Sequence, residues 1–95
     1  MYLKGKYFNG EITLDKQCYG NGALAVTATD DEGGIMKLST NVIGISEKLP
    51  ENQFCFKSWS ENEGFYESML EAKLINPVGV FTTGLCIGKI VQCLF

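Results

Sequence analysis

From its first residues the chain alternates. Aromatic and lysine side chains interleave through Tyr2-Leu3-Lys4-Gly5-Lys6-Tyr7-Phe8, and Asn9-Gly10 is a pair that tolerates positive φ, so the segment predicts a hairpin turning at Asn9-Gly10. Its second arm, Glu11 to Asp15, sets Ile12 and Leu14 on one face and Glu11, Thr13 and Asp15 on the other. Tyr19-Gly20-Asn21-Gly22 reads as another turn. A strand from Ala23 to Thr29 follows, in which Leu24, Val26 and Ala28 alternate with small or hydroxylated neighbours. Asp30-Asp31-Glu32-Gly33-Gly34 then gathers carboxylates and two glycines into a solvated turn and returns the chain into Ile35 to Thr40, the plainest hairpin in the sequence.

Gly44 and Pro50 interrupt any long period, so Asn41 to Pro50 predicts a connecting loop. A strand over Gln53 to Trp59 should point Phe54 and Phe56 the same way. In Ser60-Glu61-Asn62-Glu63 the pattern is that of a capping box, the Ser60 hydroxyl accepting from the Glu63 N–H while the Glu63 carboxylate reaches back to the Ser60 N–H. That predicts a helix over Ser60 to Lys73, with Ser60→Ala costing about 1 kcal/mol. Acids at Glu61, Glu63 and Glu67 suit the positive end of its dipole. Phe65, Tyr66, Met69, Leu70 and Leu74 make one apolar stripe, and Asn76-Pro77 should end the helix. Beyond Glu71 the only charges are Lys73 and Lys89, so the β-rich segment Val78 to Phe81 and then Leu85 to Phe95 needs cover, and its last strand is expected to be central in the sheet.

Ninety-five residues, 45% hydrophobic and 20% charged, amount to one domain over residues 1–95. The expected class is α+β, a mainly antiparallel sheet of five or six strands packed against a single helix.

The charges narrow the chemistry. Eight lysines, eleven carboxylates, no arginine and no histidine give a net charge of −3. Without the planar guanidinium, and with lysines scattered along the chain, direct nucleic-acid binding is not expected. The lack of histidine removes the usual general base near neutral pH and the commonest metal ligand. Cys18, Cys55, Cys86 and Cys93 form no C-x-x-C pair, and the Asp30–Gly34 acids lack the EF-hand register, so no metal site and no cofactor are expected. The start has no apolar leader and no apolar run nears the roughly 20 residues of a membrane helix. A soluble, cytoplasmic protein is expected, its four cysteines free and packed as small hydrophobes.

Lys57-Ser58-Trp59-Ser60-Glu61-Asn62-Glu63-Gly64 resembles a family of small proteins of no assigned activity carried on bacterial plasmids, phages and conjugative elements, whose signature is W-S-E-N-E-G. Tyr19 to Val26 is similar to that family's turn and strand, Leu38 to Val42 to its next strand end, and Thr82-Thr83-Gly84 to the approach to its terminal strand. Leu70 to Leu74 resembles the helix end, with Lys73 where a glycine is common. The resemblance implies a mobile-element setting and no particular reaction.

Three functions follow as expectations. The preferred one is a non-enzymatic, acidic protein-binding module whose partner is a host or element-encoded protein and whose effect is to inhibit or modulate host machinery; occupying a groove meant for nucleic acid would suit its charge. Its candidate contact residues are Trp59, Glu61, Glu63, Tyr66 and Glu67, because tryptophan and tyrosine anchor interfaces and the acids lie beside them. Standing just before the helix, Trp59 is expected first to staple its entry by packing on the first turn, ahead of serving as a contact. The second is a small enzyme using the helix carboxylates, with Glu63 and Glu67 one turn apart and able to raise one another's pKa. The third is a homodimer joined through the poorly charged C-terminal strand.

Overall fold

Leu38 divides the molecule. The computed structural model describes residues 1–84 and 86–95; Leu85, expected at the start of the last strand, lies outside them. Before Leu38, β1 (Tyr2–Lys4), β2 (Asn9–Cys18), β3 (Leu24–Asp30) and β4 (Ile35–Lys37) form an antiparallel sheet in the order β1-β2-β3-β4. After it, β5 (Ser39–Thr40), β6 (Gln53–Phe56), β7 (Ile75–Thr83) and β8 (Cys86–Cys93) form a second antiparallel sheet in the order β5-β6-β8-β7. The architecture is therefore two four-stranded sheets with one short helix, α1 (Phe65–Glu71), instead of one sheet of five or six strands against a long helix.

The reason lies in the main-chain bonding at the crossing. The Leu38 N–H donates to the Val26 carbonyl at 2.9 Å, in the first sheet, while the Leu38 carbonyl accepts from Lys57 N–H at 2.7 Å, in the second. What alternation predicts as one strand over Ile35 to Thr40 is thus two. Ser39 is buried at the corner, where its Oγ accepts the Val26 N–H at 2.9 Å and lies 2.8 Å from the Tyr19 hydroxyl. Asn62, fully buried, closes the crossing: its Nδ2 donates to the carbonyls of Lys37 at 2.6 Å and Lys57 at 2.9 Å. Two acceptors facing one amide fix which way it points, because the flipped amide would set oxygen against oxygen.

One apolar core fills the space between the sheets. Leu3, Ile12, Val26 and Ala28 enter from the first, Phe54, Phe56, Ile75 and Val91 from the second, and Phe65 and Met69 from α1. Phe54 and Phe56 point the same way as expected, their rings stacked at 5.8 Å. Cys55 between them is buried against Ser46, whose Oγ lies 3.4 Å from its sulfur. Ser46 opens the 3₁₀ turn Ser46–Lys48 of an otherwise irregular 41–50 loop. Cys93 is buried, Cys86 half-buried, and Cys18 exposed, so the expectation that all four pack inside fails at Cys18.

The turns at Tyr19–Gly22 and Asp30–Gly34 stand where local chemistry puts them. Gly22 N–H reaches Tyr19 O at 2.9 Å, and Asp30 Oδ1 accepts from the N–H groups of Glu32 and Gly34. The first hairpin, by contrast, turns at Gly5–Phe8 (Gly5 N to Phe8 O, 2.8 Å), and Asn9 and Gly10 are already in β2. Packing overrides the local preference: a Cβ on Gly5 would strike the Phe65 ring, and Phe8 meets that ring edge-on at 6.2 Å. Gly5, without a Cβ, lets the chain turn there against the core.

The helix is half its expected length. Ser60 has φ of 59°, no side chain caps the segment, and Ser60–Asn62 forms a 3₁₀ turn instead of a capping box. Gly64, at φ 94°, then precedes α1, its position pressed so close to Gly5 that a Cβ would lie 2.9 Å from the Gly5 Cα. The chain leaves the helix at Glu71, and Lys73 takes φ of 60°, a left-handed turn of the kind glycine adopts most easily. Asn76 and Pro77 do not end a helix. They belong to β7, an edge strand, where a proline without an N–H is tolerated and a register shift between Pro77 and Gly79 absorbs Val78. β6 stops at Phe56, short of the expected Trp59. β8 is central, as expected, with β6 and β7 on its two edges, which leaves no edge of that strand for self-association.

Two stability tests follow. In urea unfolding, Gly64→Ala is expected to destabilise by about 2 kcal/mol or more through strain and the Gly5 contact, Lys73→Gly to stabilise by about 0.5–1 kcal/mol, and Ser60→Ala to change little. Asn62→Asp removes both donors and sets a carboxylate against two carbonyls; a loss of about 3 kcal/mol at neutral pH is expected, shrinking in acid as the carboxyl regains a proton to donate.

Candidate functional site

The residues singled out from the sequence do come together around the 57–67 segment, where most of them hold the fold. Trp59 is half-buried against Phe81 of β7, ring centroids 6.1 Å apart, and the Phe81 ring in turn covers Gly88 so closely that a Cβ there would lie 2.5 Å from it. Its aromatic partner is thus a strand residue, and the expected staple onto the helix start is replaced by cover for the β7–β8 hairpin. Tyr66 sets its ring edge against Phe56 at 5.7 Å, and burial, with Glu67 adding to it, pushes its phenol pKa up.

The acids are exposed and separate. Glu61 pairs with Lys57 at 2.7 Å; the hydrogen bond from that ammonium, helped by backbone and Ser60 hydroxyl bonds, holds its carboxyl down at about 2. Glu63 uses its carbonyl to receive the Lys6 N–H at 2.7 Å while its carboxylate stands 3.8 Å from the Lys6 ammonium. Since Glu63 precedes α1 and Glu67 lies within it, the two do not form the expected helical pair. A carboxyl held low is a poor proton donor near neutral pH, so Glu61 does not fit the acid of an acid/base couple.

A different surface joins aromatic and acidic groups in the open. On the outward side of the first sheet the antiparallel register sets Tyr2 opposite Glu11, Thr29 between Thr13 and Ile35, and Thr27 between Asp15 and Lys37. Tyr2 is 55% exposed and Tyr7, in the neighbouring turn, 65%. Glu11 also borders an open depression of about 220 Å³ that it shares with Phe8, Gly10, Asp30, Asp31 and Glu32. Asp30 is occupied in its turn, and Glu11 lies 3.5 Å from the Met1 amino group; Asp31 and Glu32 point to solvent. The alternation of β1 and β2 already carried this face in the sequence, but which β2 residue lies beside Tyr2 depends on where the hairpin turns.

A larger cavity, about 430 Å³, lies between the far end of β2 and the last residues, lined by Lys16, Cys18, Leu24, Glu51, Cys93 and Phe95 among others. Its cation is engaged, since Lys16 Nζ donates to the Phe95 carbonyl at 2.7 Å and lies over the Phe95 ring. Among the described residues no group of three or more cysteines and carboxylates converges as metal ligands, and no helix is long and apolar enough to cross a membrane. Comparison with protein-family models, with curated proteins and with solved structures finds no match.

The Lys57–Glu61 pair gives a pH test. A carboxyl held below its ordinary 4.5 stabilises the fold above that value and loses its contribution as the pH falls toward about 2. Both groups meet solvent, so the contribution is screened and worth at most about 1 kcal/mol. Glu61→Gln is expected to flatten that part of the stability-against-pH curve, measured by thermal unfolding, and high salt to flatten it in the wild type.

Proposed function

We propose that the protein works in the cytoplasm by binding another protein, without turning over a substrate, in the service of a mobile genetic element. The observation that carries this reading is the outward face of the first sheet: an exposed array with Tyr2 beside Glu11, continued by Tyr7 and by the Asp31 and Glu32 carboxylates. Tyrosine brings a large, rigid contact area with a polar tip, the kind of group that supplies residence time at interfaces. Net charge of −3 with acids grouped at one end attracts a basic partner over distance and raises the encounter rate.

The partner is a host or element-encoded protein with a basic, groove-bearing surface, and the effect is to block or modulate it. The mobile-element setting rests on the resemblance of residues 57–64. Of the residues singled out in the sequence, Trp59 and Tyr66 pack on Phe81 and Phe56 and Glu61 and Glu63 are paired with lysines, so this reading puts them behind the first-sheet face as contacts; Glu67 is exposed and stays a candidate contact.

The test is capture from bacterial lysate on immobilised protein, with mass spectrometry. A retained basic protein is expected to be lost with Tyr2→Ala/Tyr7→Ala and with Glu11→Lys/Asp31→Lys/Glu32→Lys, both folded by circular dichroism, and to be released by moderate salt. Retention indifferent to both variants, or a small molecule transformed in excess over the protein, overturns the reading.

A further inference from the structure

Among the described residues, all the sheet edges but one are short or covered. β1 is three residues long, and its Lys4 N–H is held by Ser68 Oγ of α1 at 3.1 Å. β4 is three residues long and ends in Lys37; β5 has two. β7 runs nine residues, Ile75–Thr83, without a single charge and with no strand beyond it. Pro77 and the register shift at Val78 blunt its first half, the usual devices that keep edges from pairing. Gly79 to Thr83 has neither. Val80 is 62% exposed and Thr82 is exposed beside it; Ile87 on β8, directly across from Thr82, is 74% exposed. With Val80 opposite Lys89 and Thr82 opposite Ile87, alternation sets these four on one face, and Phe81, under Trp59, on the other.

We infer that a second copy of the chain adds at this edge, β7 against β7 and antiparallel, merging two second sheets into one of eight strands. A two-fold axis at Phe81 sets Val80 opposite the second copy's Thr82 and Gly79 opposite the second copy's Thr83. Val–Thr is a favourable β-branched cross-strand pair, formed twice by the symmetry. The charge pattern selects the occupant: each chain carries −3, yet β7 contributes none of it, so two copies meet here without like charges facing one another, whereas a basic strand from another protein would run beside the exposed Lys89. Ile87 from each copy extends the apolar row, and Lys89 remains at its outer ends in water. The seam is on the second sheet and leaves the outward face of the first untouched, so this inference stands apart from the proposed binding face, and a dimer displays that face twice.

Light scattering after gel filtration, over a concentration series, reads the result. The expected mass at high concentration is twice the 10.5 kDa chain, falling toward one chain on dilution. Val80→Lys/Thr82→Lys and Val80→Glu/Thr82→Glu place like charges opposite one another, and each is expected to run as a monomer; mixed, they should recover the doubled mass. Ile35→Lys, on the first sheet, should leave it unchanged. Should the charged variants fail to fold, amide exchange of the wild type decides: slower exchange in Gly79 to Thr83 at high concentration supports the seam. A wild type of single-chain mass throughout, folded charged variants that stay dimeric, a mixture that stays monomeric, or exchange independent of concentration overturns it.

Discussion

The carbonyls of Lys37 and Lys57 belong to different parts of the chain, and one buried amide holds both. Without the Asn62 donors those two strand ends would lose the group that joins them at the place where the chain passes from one sheet to the other. An unmade hydrogen bond inside costs far more than a made one gains, so this small polar contact constrains a large part of the geometry. To set its side chain there, the backbone takes a tight 3₁₀ turn that begins with Ser60 in the left-handed region. Gly64, also left-handed, then turns the chain so that Phe65 enters the core, and Gly5 lies against both. One clamp, one turn and one close backbone approach together seat α1.

The W-S-E-N-E-G segment thereby acquires physical content. Trp59 covers Phe81, Ser60 makes the left-handed step, Glu61 binds Lys57, Asn62 clamps the crossing, the Glu63 carbonyl receives Lys6, and Gly64 turns into the helix. Every position has an architectural task. A segment of this kind marks how the chain folds and need not mark what it binds, and the exposed Tyr2 and Tyr7, with Glu11, Asp31 and Glu32, lie elsewhere, on β1, β2 and the turns after β1 and β3.

Legibility in the sequence follows the range of the interaction. Strands β2 and β3, the Tyr19 and Asp30 turns and the inward pair Phe54/Phe56 could be read because alternation and side-chain-to-backbone bonding act over a few residues. The first turn could not, since Gly5 answers to Phe65, sixty residues away. Nor could the helix start: Ser60 and Glu63 have the right spacing for a capping box, but the burial of Asn62 between them demands another backbone. The break at Leu38 is invisible because both halves keep a strand-like pattern and only the identity of the partner strand changes. For the candidate site, Tyr2 and Glu11 are ordinary surface residues until the register makes them neighbours.

The place of β8 bears on how the molecule is made. Its neighbours β6 and β7 leave the ribosome first, yet neither pairs with the other; each waits for the strand that fits between them. Translation therefore finishes the middle of the second sheet last, and a nascent chain halted in that region has a first sheet able to close, β6 paired on one side only, with β5, and β7 with no strand to join. Chaperones and proteases would meet that half-built species, so intactness of the distal coding region governs the yield of usable protein more than it would if the last strand were added on the outside.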